Sequence, residues 1–472
     1  MLISPNSGRD ERIESEGAWP PLGLAYMGTV LERAGHEVRI IDNARAQLPD
    51  EKLIDLVRGE SPNIVGISAL TPTFRRALTI ASAVKKACPD SKVVLGNYHA
   101  TFEHERILRN CGFVDFVVLG EGEMTMLELA NVLDNGGRVR DVRGISFRAN
   151  GEIVRTKPRP PIQNLDELPF PDRKMLKEEY FSEVIGMRTS AGRFTTMVTS
   201  RGCPYGCRYC ACSAFTSRTV RFRSPENVVE EMELLWSEGY EDVGFVDDNF
   251  LMNPRRVERI CELIRERKIR MNLWVEGRTD QASLETMRRL ARAGCRAIYF
   301  GIESGNEHVL KYYGKSITPE ISRRAVSNAR RARIDTVIGS FIVGAPIETR
   351  ADVRKTLDFA LSLKDMDFPQ MNVLYLSPGM DLWKDAIERR YLSEEKFWDT
   401  AVPAVEAYPS HLTLEELEEM IGEFYSEFIG RKSYLVHQFL KTLRSRWRLG
   451  ALARNIVEGR RFREALRHLR GD

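Results

Sequence analysis

The sequence contains no apolar run of the roughly 18 residues that a membrane-spanning helix needs. It also opens on nothing that reads as a secretory or transit segment, so the expected compartment is the cytoplasm. Cysteine is scarce, eight in 472 residues, and the eight do not fall into repeated pairs. That excludes a disulfide-stapled scaffold and a zinc site built from two knuckles. Histidine is scarcer still, seven scattered residues, which leaves no His-rich metal tract. Neither sign of charge dominates: the net charge is +3, too small to mark a nucleic-acid binder, and no specific nucleic-acid partner is expected.

The small net charge hides an asymmetry. From Arg431 to Asp472 there are twelve Lys or Arg against three Asp or Glu, a local charge of +9, which leaves −6 on the rest. Such a length implies two or three domains rather than one core. Hydrophobic residues at 43% and charged residues at 29% are the proportions of a globular chain.

Chemistry concentrates in Arg201-Gly-Cys-Pro-Tyr-Gly-Cys-Arg-Tyr-Cys210. Three thiols on one short loop can hold three irons of a [4Fe-4S] cube and leave the fourth iron open, whereas clusters that only carry electrons normally take four thiolates. A structural zinc wants four ligands, and a disulfide would strand one thiol of the three. Cys203, Cys207 and Cys210, with Tyr209 before the last, follow Cys-x3-Cys-x2-Cys, and this loop resembles that of the radical SAM superfamily. The resemblance implies that S-adenosylmethionine chelates the open iron and that reductive cleavage releases a 5′-deoxyadenosyl radical. Cys212 lies outside the pattern and is expected to pack beneath the loop.

Residues 1–145 alternate short apolar strands (Met1–Ser4, Val38–Asp42, Ile64–Ser68, Val93–Gly96, Phe116–Leu119) with helices such as Leu22–Arg33 and Arg75–Ala87. Five strands in βαβ succession predict a doubly wound, Rossmann-like parallel sheet with its ligand crevice beyond the strands' carboxyl ends. Pro20-Pro21-Leu22-Gly23-Leu24, Ala34-Gly35-His36-Glu37-Val38, Gly96-Asn97-Tyr98-His99-Ala100-Thr101 and Gly120-Glu121-Gly122-Glu123 resemble the cobalamin-binding domain that precedes many radical SAM enzymes. The resemblance implies cobalamin contacts from Asn6, Leu22, Ser68, Leu70, Thr71, Gly96, Asn97, Tyr98, His99, Gly120, Glu121 and Gly122. The mutase-type Asp-x-His-x-x-Gly string is missing, so no protein histidine is expected on the lower face of cobalt. His99, at a strand end, could touch cofactor or pack.

Prolines 158, 160, 161, 169 and 171 make residues 146–190 a connector, expected to run extended over the surface. Residues 191–385 hold six strand-plus-helix units, with strands at Phe194–Ser200, Val243–Asp247, Asn272–Glu276, Ala297–Ile302, Val337–Gly344 and Met371–Leu376. They predict an open (β/α)6 barrel with its chemistry at the carboxyl ends. By resemblance, Tyr209, Asp247, Asp248, Arg278, Glu303, Ser304 and Gly344 are expected to bind SAM. Arg278 would take the methionyl carboxylate, Asp247 the amino group, and Glu303 or Ser304 the ribose hydroxyls.

Residues 386–472 read as helical with a basic tail. Thr413 and Glu416 spell a capping box, and Leu435, Phe439, Leu443 and Trp447 recur at helical spacing among Arg and Lys. Such a helix suits either a solvated face on a packed domain or contact with the inner surface of an anionic membrane. The whole pattern resembles the cobalamin-binding radical SAM class that includes the anaerobic magnesium-protoporphyrin ester cyclase and carbon methyltransferases. It implies methylation of an unactivated carbon on a small-molecule or lipid substrate, with a flavodoxin- or ferredoxin-type electron donor. Oxidative ring or C–C bond formation on a tetrapyrrole or isoprenoid is the alternative. A tRNA methylthiotransferase is disfavoured, because only Cys88 and Cys111 stand where a second cluster needs three thiols, and a cobalamin or redox sensor would make no 5′-deoxyadenosine.

Overall fold

The computed structural model describes residues 1–6, 19–184, 187–393 and 401–457, so residues 458–472 of the basic tail lie outside the described part. The first sheet takes β1 (Leu2–Ser4), β2 (Ile40–Asp42), β3 (Ile64–Ser68), β4 (Lys92–Gly96) and β5 (Phe116–Val118) in the order 2-1-3-4-5, all parallel. Helices cover both faces: α1 (Leu22–Arg33) and α5 (Glu123–Asp134) on one, α2 (Asp50–Glu60), α3 (Phe74–Ala87) and α4 (Tyr98–Asn110) on the other. In this order the direction in which strands are added reverses between β1 and β3, and a ligand crevice is expected beyond their carboxyl ends.

The sheet runs past residue 145. β6 (Ile145–Ala149) and β7 (Glu152–Arg155) add to β5 as an antiparallel hairpin, where the sequence was expected to have left the sheet. The hairpin turns at Asn150 (φ 53°) and Gly151 (φ 80°), two left-handed residues that match the twist of the flanking strands. The rest of the connector runs over the surface as expected only from residue 157 to 164, and then turns inward. Leu165 and Leu168 are buried with Leu22, Tyr26 and Val30, and the Arg173 guanidinium is buried against Glu231 at 2.7 Å. Proline forbids helix there, but the apolar residues between the prolines still seek cover.

The second sheet has six parallel strands in sequential order: β8 (Phe194–Met197), β9 (Asp242–Phe245), β10 (Asn272–Arg278), β11 (Cys295–Glu303), β12 (Thr336–Val343) and β13 (Phe368–Val373). This is the expected open barrel. The helices between them start at Ser224, Asn253, Ser283, Thr318 and Thr349, each of whose side chains accepts a backbone N–H three residues on. Proline follows three of these caps, where its missing N–H costs nothing. One large apolar core joins sheet and helices, and α12 (Leu414–Gly430) closes it, capped by the Thr413–Glu416 box. (α6 is Cys212–Phe215, and α7–α11 are the five helices after those caps, in chain order.) α13 (Lys432–Arg444) and α14 (Arg446–Val457) cross the amino end of the barrel.

Candidate functional site

The cysteine loop leaves β8 through a two-stranded ribbon, Ser200–Arg201 against Arg221–Phe222. Its entrance needs glycine: Gly202 has φ 94°, and a Cβ there would stand 2.0 Å from the Thr219 carbonyl oxygen. The Gly202 N–H donates to Asp248 at 2.9 Å, and further along the Arg208 N–H donates to the Tyr313 carbonyl at 2.9 Å. Between and after these anchors Cys203, Cys207 and Cys210 stay half-exposed. Burial pushes the Cys203 and Cys207 thiols up, against Lys315, which favours the thiolate of Cys207. Cys210 goes the other way, down to about 7, because the Cys212 thiol donates to it. Among the described residues no three His, Cys, Asp or Glu side chains converge as they would around one metal ion. Thiolates that each bind a different iron of a cube need no such convergence, so the donor set fits a cluster.

Around the loop, the strand-end residues fall into two groups. Tyr209 donates from its hydroxyl to Glu303 at 3.0 Å, and Lys315 pairs with the same carboxylate oxygen at 2.5 Å. Glu303 is held at φ 68°, a left-handed conformation unusual outside glycine and kept by those partners. Arg278 lies over the Tyr205 ring, 3.8 Å from its centroid, and grips both oxygens of Asp280 at 3.1 and 3.0 Å. Its fork is thus shaped for a carboxylate and beside the cluster loop. Asp248 reaches the cleft between the two sheets.

Three expected SAM ligands have other work. Asp247 is fully buried and accepts from the Thr199 N–H at 2.6 Å, the Thr199 hydroxyl at 2.5 Å and the Ser200 hydroxyl at 2.6 Å, bracing the strand that launches the loop. Ser304 turns to Thr356 at 3.0 Å, on a barrel helix. Gly344, at φ 88°, would place a Cβ 2.7 Å from Leu417, so it makes room for α12.

A cavity of about 730 Å³ separates the loop from the first sheet, beyond β1 and β3 as the strand order requires. Gly66, Gly96, Gly120 and Gly122 line it, with Leu22, Ser68, Leu70, Asn97 and Tyr98 from the expected set. A wall of glycines admits a flat, bulky ring close to backbone, so these residues fit a corrin. Asn97 adopts φ 84°, ψ −174°, normally glycine territory; its side chain accepts from the Tyr98 N–H at 2.8 Å and donates to Ser68 at 2.9 Å. That backbone strain lies on the wall of the cavity.

Asn6, Thr71 and His99 do not line the cavity. Asn6 is bonded to Gln47 and Arg76, and His99 is stacked on Phe74 at 3.9 Å with its Nδ1 at 3.1 Å from Thr71. Of its two expected roles His99 takes packing. Among the described residues that line the cavity there is no histidine. Glu121 does line the cavity, but its carboxylate is engaged: Arg221 binds it at 3.0 and 2.8 Å and Arg201 at 3.2 Å, clasping the two units together. Burial would raise its pKa, yet these guanidinium groups and the Ile162 N–H hold it below the usual carboxylate value.

Several contributors escaped the motif patterns. Phe215 stacks on Tyr98 at 4.1 Å, and the Tyr98 hydroxyl meets the Cys212 thiol, linking the first sheet to the cluster loop. Glu276 is the second. Trp274 and Glu276 are half-buried where Leu273, Val275 and Gly277 are buried, so alternate residues of β10 face an unfilled barrel interior. Among the described residues no hydrogen bond reaches the Glu276 carboxylate; burial, then Asp248 and Asp247, push its pKa up to about 7. Glu276 pairs in register with Tyr299, whose hydroxyl donates to Gln370 at 3.1 Å. A carboxylate at an inward position of a buried strand was the available signal.

Comparison with known proteins agrees with this geometry. The model of the radical SAM superfamily matches residues 197–360, and that of the B12 binding domain matches residues 9–130. An uncharacterized methyltransferase of Pyrococcus horikoshii is 33% identical over 439 residues, covering 92% of this chain and 93% of that protein. The anaerobic magnesium-protoporphyrin IX monomethyl ester cyclase of Rubrivivax gelatinosus is 28% identical, over 97% of this chain and 82% of its own. Among solved structures, the radical SAM methyltransferase TsrM of Kitasatospora setae, with cobalamin and a [4Fe-4S] cluster bound, superposes with a TM-score of 0.66 at 22% identity, covering 82% and 74% of the two chains. That last likeness speaks for the fold.

Proposed function

The chain belongs to the radical SAM superfamily and also carries a B12-binding domain, and from this we propose that it is a cobalamin-dependent methyltransferase acting on an unactivated carbon. Its cofactors are a [4Fe-4S] cluster, S-adenosylmethionine and cobalamin. When bound, cluster and SAM supply a hydrogen-abstracting radical, and the corrinoid supplies a transferable methyl group.

The protein's own part is to hold and orient. Cys203, Cys207 and Cys210 would hold the cluster. Arg278, already shaped around a carboxylate, would receive the methionyl carboxylate by exchanging Asp280 for it. Glu303, fixed by Lys315 and Tyr209, offers acceptors beside the loop for sugar hydroxyls. Gly66, Gly96, Gly120 and Gly122 would take the corrin face, and the Tyr98–Phe215 stack helps exclude water where the two units meet. Glu276, titrating near neutrality inside the barrel, can hold or release a proton there.

The observation that carries this reading is the stack of Tyr98, on the glycine-lined wall, against Phe215, at the end of the short helix that follows the cluster loop. It supports a reading in which the two proposed cofactors meet across this contact. The substrate is a small molecule, and the electron donor we propose is a flavodoxin or ferredoxin. Anaerobic turnover of the reconstituted protein with methyl-labelled SAM, reductant and extract of a deletion strain tests the reading. Label must enter a product other than methionine and methylcobalamin, which carry it after SAM cleavage and cobalt methylation; an unlabelled product of altered hydrogen count would assign oxidative cyclisation instead.

A further inference from the structure

α13 and α14 are amphipathic in the unexpected sense: their polar face packs on the barrel and their apolar face is outside. Tyr434 donates to the Asp367 carbonyl at 2.9 Å, while Gln438 at 2.9 Å and Lys441 at 2.5 Å reach the Asp367 carboxylate. Ser445 bonds Asp335 at 2.5 Å, Arg448 binds the same carboxylate and its carbonyl, and Trp447 donates to Asp242 at 2.8 Å. Asp242, Asp335 and Asp367 stand at or just before the amino ends of β9, β12 and β13, so the helices are bolted across the closed end of the barrel by charge. Trp447, which the sequence placed with the apolar stripe, is one of the bolts.

What this leaves outside is Leu435, Val436, Phe439, Leu440 and Leu443, between 42% and 62% exposed, with Ile456 at 67% farther on. Proteins rarely present so continuous an apolar stripe to water without a partner. The border of the stripe says which partner. From Arg431 to Val457 there is no Asp or Glu, and Lys432, Arg444 and Arg446 are exposed beside the stripe with no acid reaching them among the described residues. A second copy docked by two-fold symmetry would set these cations against themselves.

We propose that the outer face of α13–α14 docks on an anionic lipid surface, apolar stripe in the acyl boundary and Lys432, Arg444 and Arg446 among the headgroups. The barrel's amino end then faces the lipid. Its carboxyl end, with the cysteine loop and cavity, faces away and stays open to a soluble electron donor. This goes beyond the catalytic reading and does not depend on it, since the helices touch neither cofactor site.

The test is co-sedimentation of the full chain with phosphatidylcholine vesicles, with and without phosphatidylglycerol, at low and high salt. Binding should require phosphatidylglycerol and weaken with salt. Replacing both Phe439 and Leu443 by Glu should cut partitioning at least about tenfold, and reversing Lys432 and Arg444 to Glu should remove most of the salt-sensitive part. Circular dichroism of both variants should match the parent, because the exchanged side chains face solvent. Failure to sediment with anionic vesicles, or equal binding to neutral ones, overturns the proposal. So does a parent dimer that Phe439→Glu dissociates, which would assign the stripe to a second copy. Binding that survives both variants but vanishes when Arg460, Arg461 and Arg463 are reversed would assign it to the tail and refute a role for this face. Each readout is independent of SAM cleavage, so its failure leaves the enzymatic reading standing.

Discussion

The two walls of the cavity are built on opposite principles. The wall from the first sheet is made by omission: Gly66, Gly96, Gly120 and Gly122 leave room, and its polar groups, Asn97 and Ser68, bond to one another. The barrel wall is made by charge brought in and then answered, Asp248 by the Gly202 N–H and Arg201 by Glu121 and Glu123, and around the cluster loop beyond it Arg278 is paired with Asp280 and Glu303 with Lys315 in the same way. A broad flat ring needs the first kind of surface, whereas a ligand carrying both an ammonium and a carboxylate needs the second. The glycine wall should fail by being filled, and the charged wall by losing a partner.

Breaking the charged side at its root should have the largest effect. Changing Cys203, Cys207 or Cys210 to Ala should abolish the cluster's visible absorbance, and with it all 5′-deoxyadenosine formation from reduced protein and SAM. Full cluster content in any one of the three would refute the assignment of these thiols.

How much of this was visible in the linear chain differs between the walls. The cysteine loop, the glycines at strand ends and the six-unit barrel were all legible, because each depends on residue type and spacing alone. The partners were not. Asp247 and Ser304 look like ligands in a strand-end pattern, and only the fold shows their oxygens already taken by Thr199, Ser200 and Thr356. Glu121 sits inside a motif of cofactor-contacting type but is spent on Arg201 and Arg221, eighty and a hundred residues away. The β6–β7 hairpin was within reach, since Asn150-Gly151 between alternating apolar residues is a strong hairpin signal. The inversion of α13–α14 could not be read at all: helical periodicity says that a stripe exists, not which side meets the protein.

Next in size comes the clasp between the walls. Glu121→Ala removes the shared carboxylate and leaves the buried Arg221 without an ion-pair partner, a loss of about 3 kcal/mol, measurable by chemical denaturation. Its pH dependence is set by a carboxyl whose pKa in the fold lies below the ordinary 4.5. That contribution is complete above 4.5 and fades as pH falls through the lower folded value. The gap between parent and variant should therefore narrow in acid and stay constant from pH 6 upward.

Glu276 should act in the opposite direction. Its folded pKa of about 7 exceeds the ordinary 4.5, so the fold prefers the protonated form and the charge costs stability as pH rises between those values. Glu276→Gln should stabilise the cofactor-free protein by up to roughly 3 kcal/mol at pH 8 and by little at pH 5. Equal stability of the two proteins at both pH values would show that water enters the barrel interior and solvates the carboxylate.

The glycine wall predicts a smaller change in stability but a clear one in binding. A Cβ at Gly96 would meet Val118 at an ordinary 3.8 Å, so Gly96→Ala should alter folding by less than about 1 kcal/mol. It narrows the cavity all the same, and the corrinoid retained on anaerobic purification should fall while cluster content does not. Loss of both together would mean that the two walls do not bind separately.

The smallest effect belongs to Cys212→Ala. Its thiol lies where the walls touch, donating to Cys210 and meeting Tyr98, so it could be mistaken for a fourth ligand. Its hydrogen bond favours the Cys210 thiolate in the empty loop, but iron favours that thiolate far more strongly, and the donor then has nothing left to contribute. Cluster absorbance and SAM cleavage should be close to those of the parent. A variant that loses the cluster would make Cys212 a ligand, close the open iron, and remove the vacancy on which SAM binding depends.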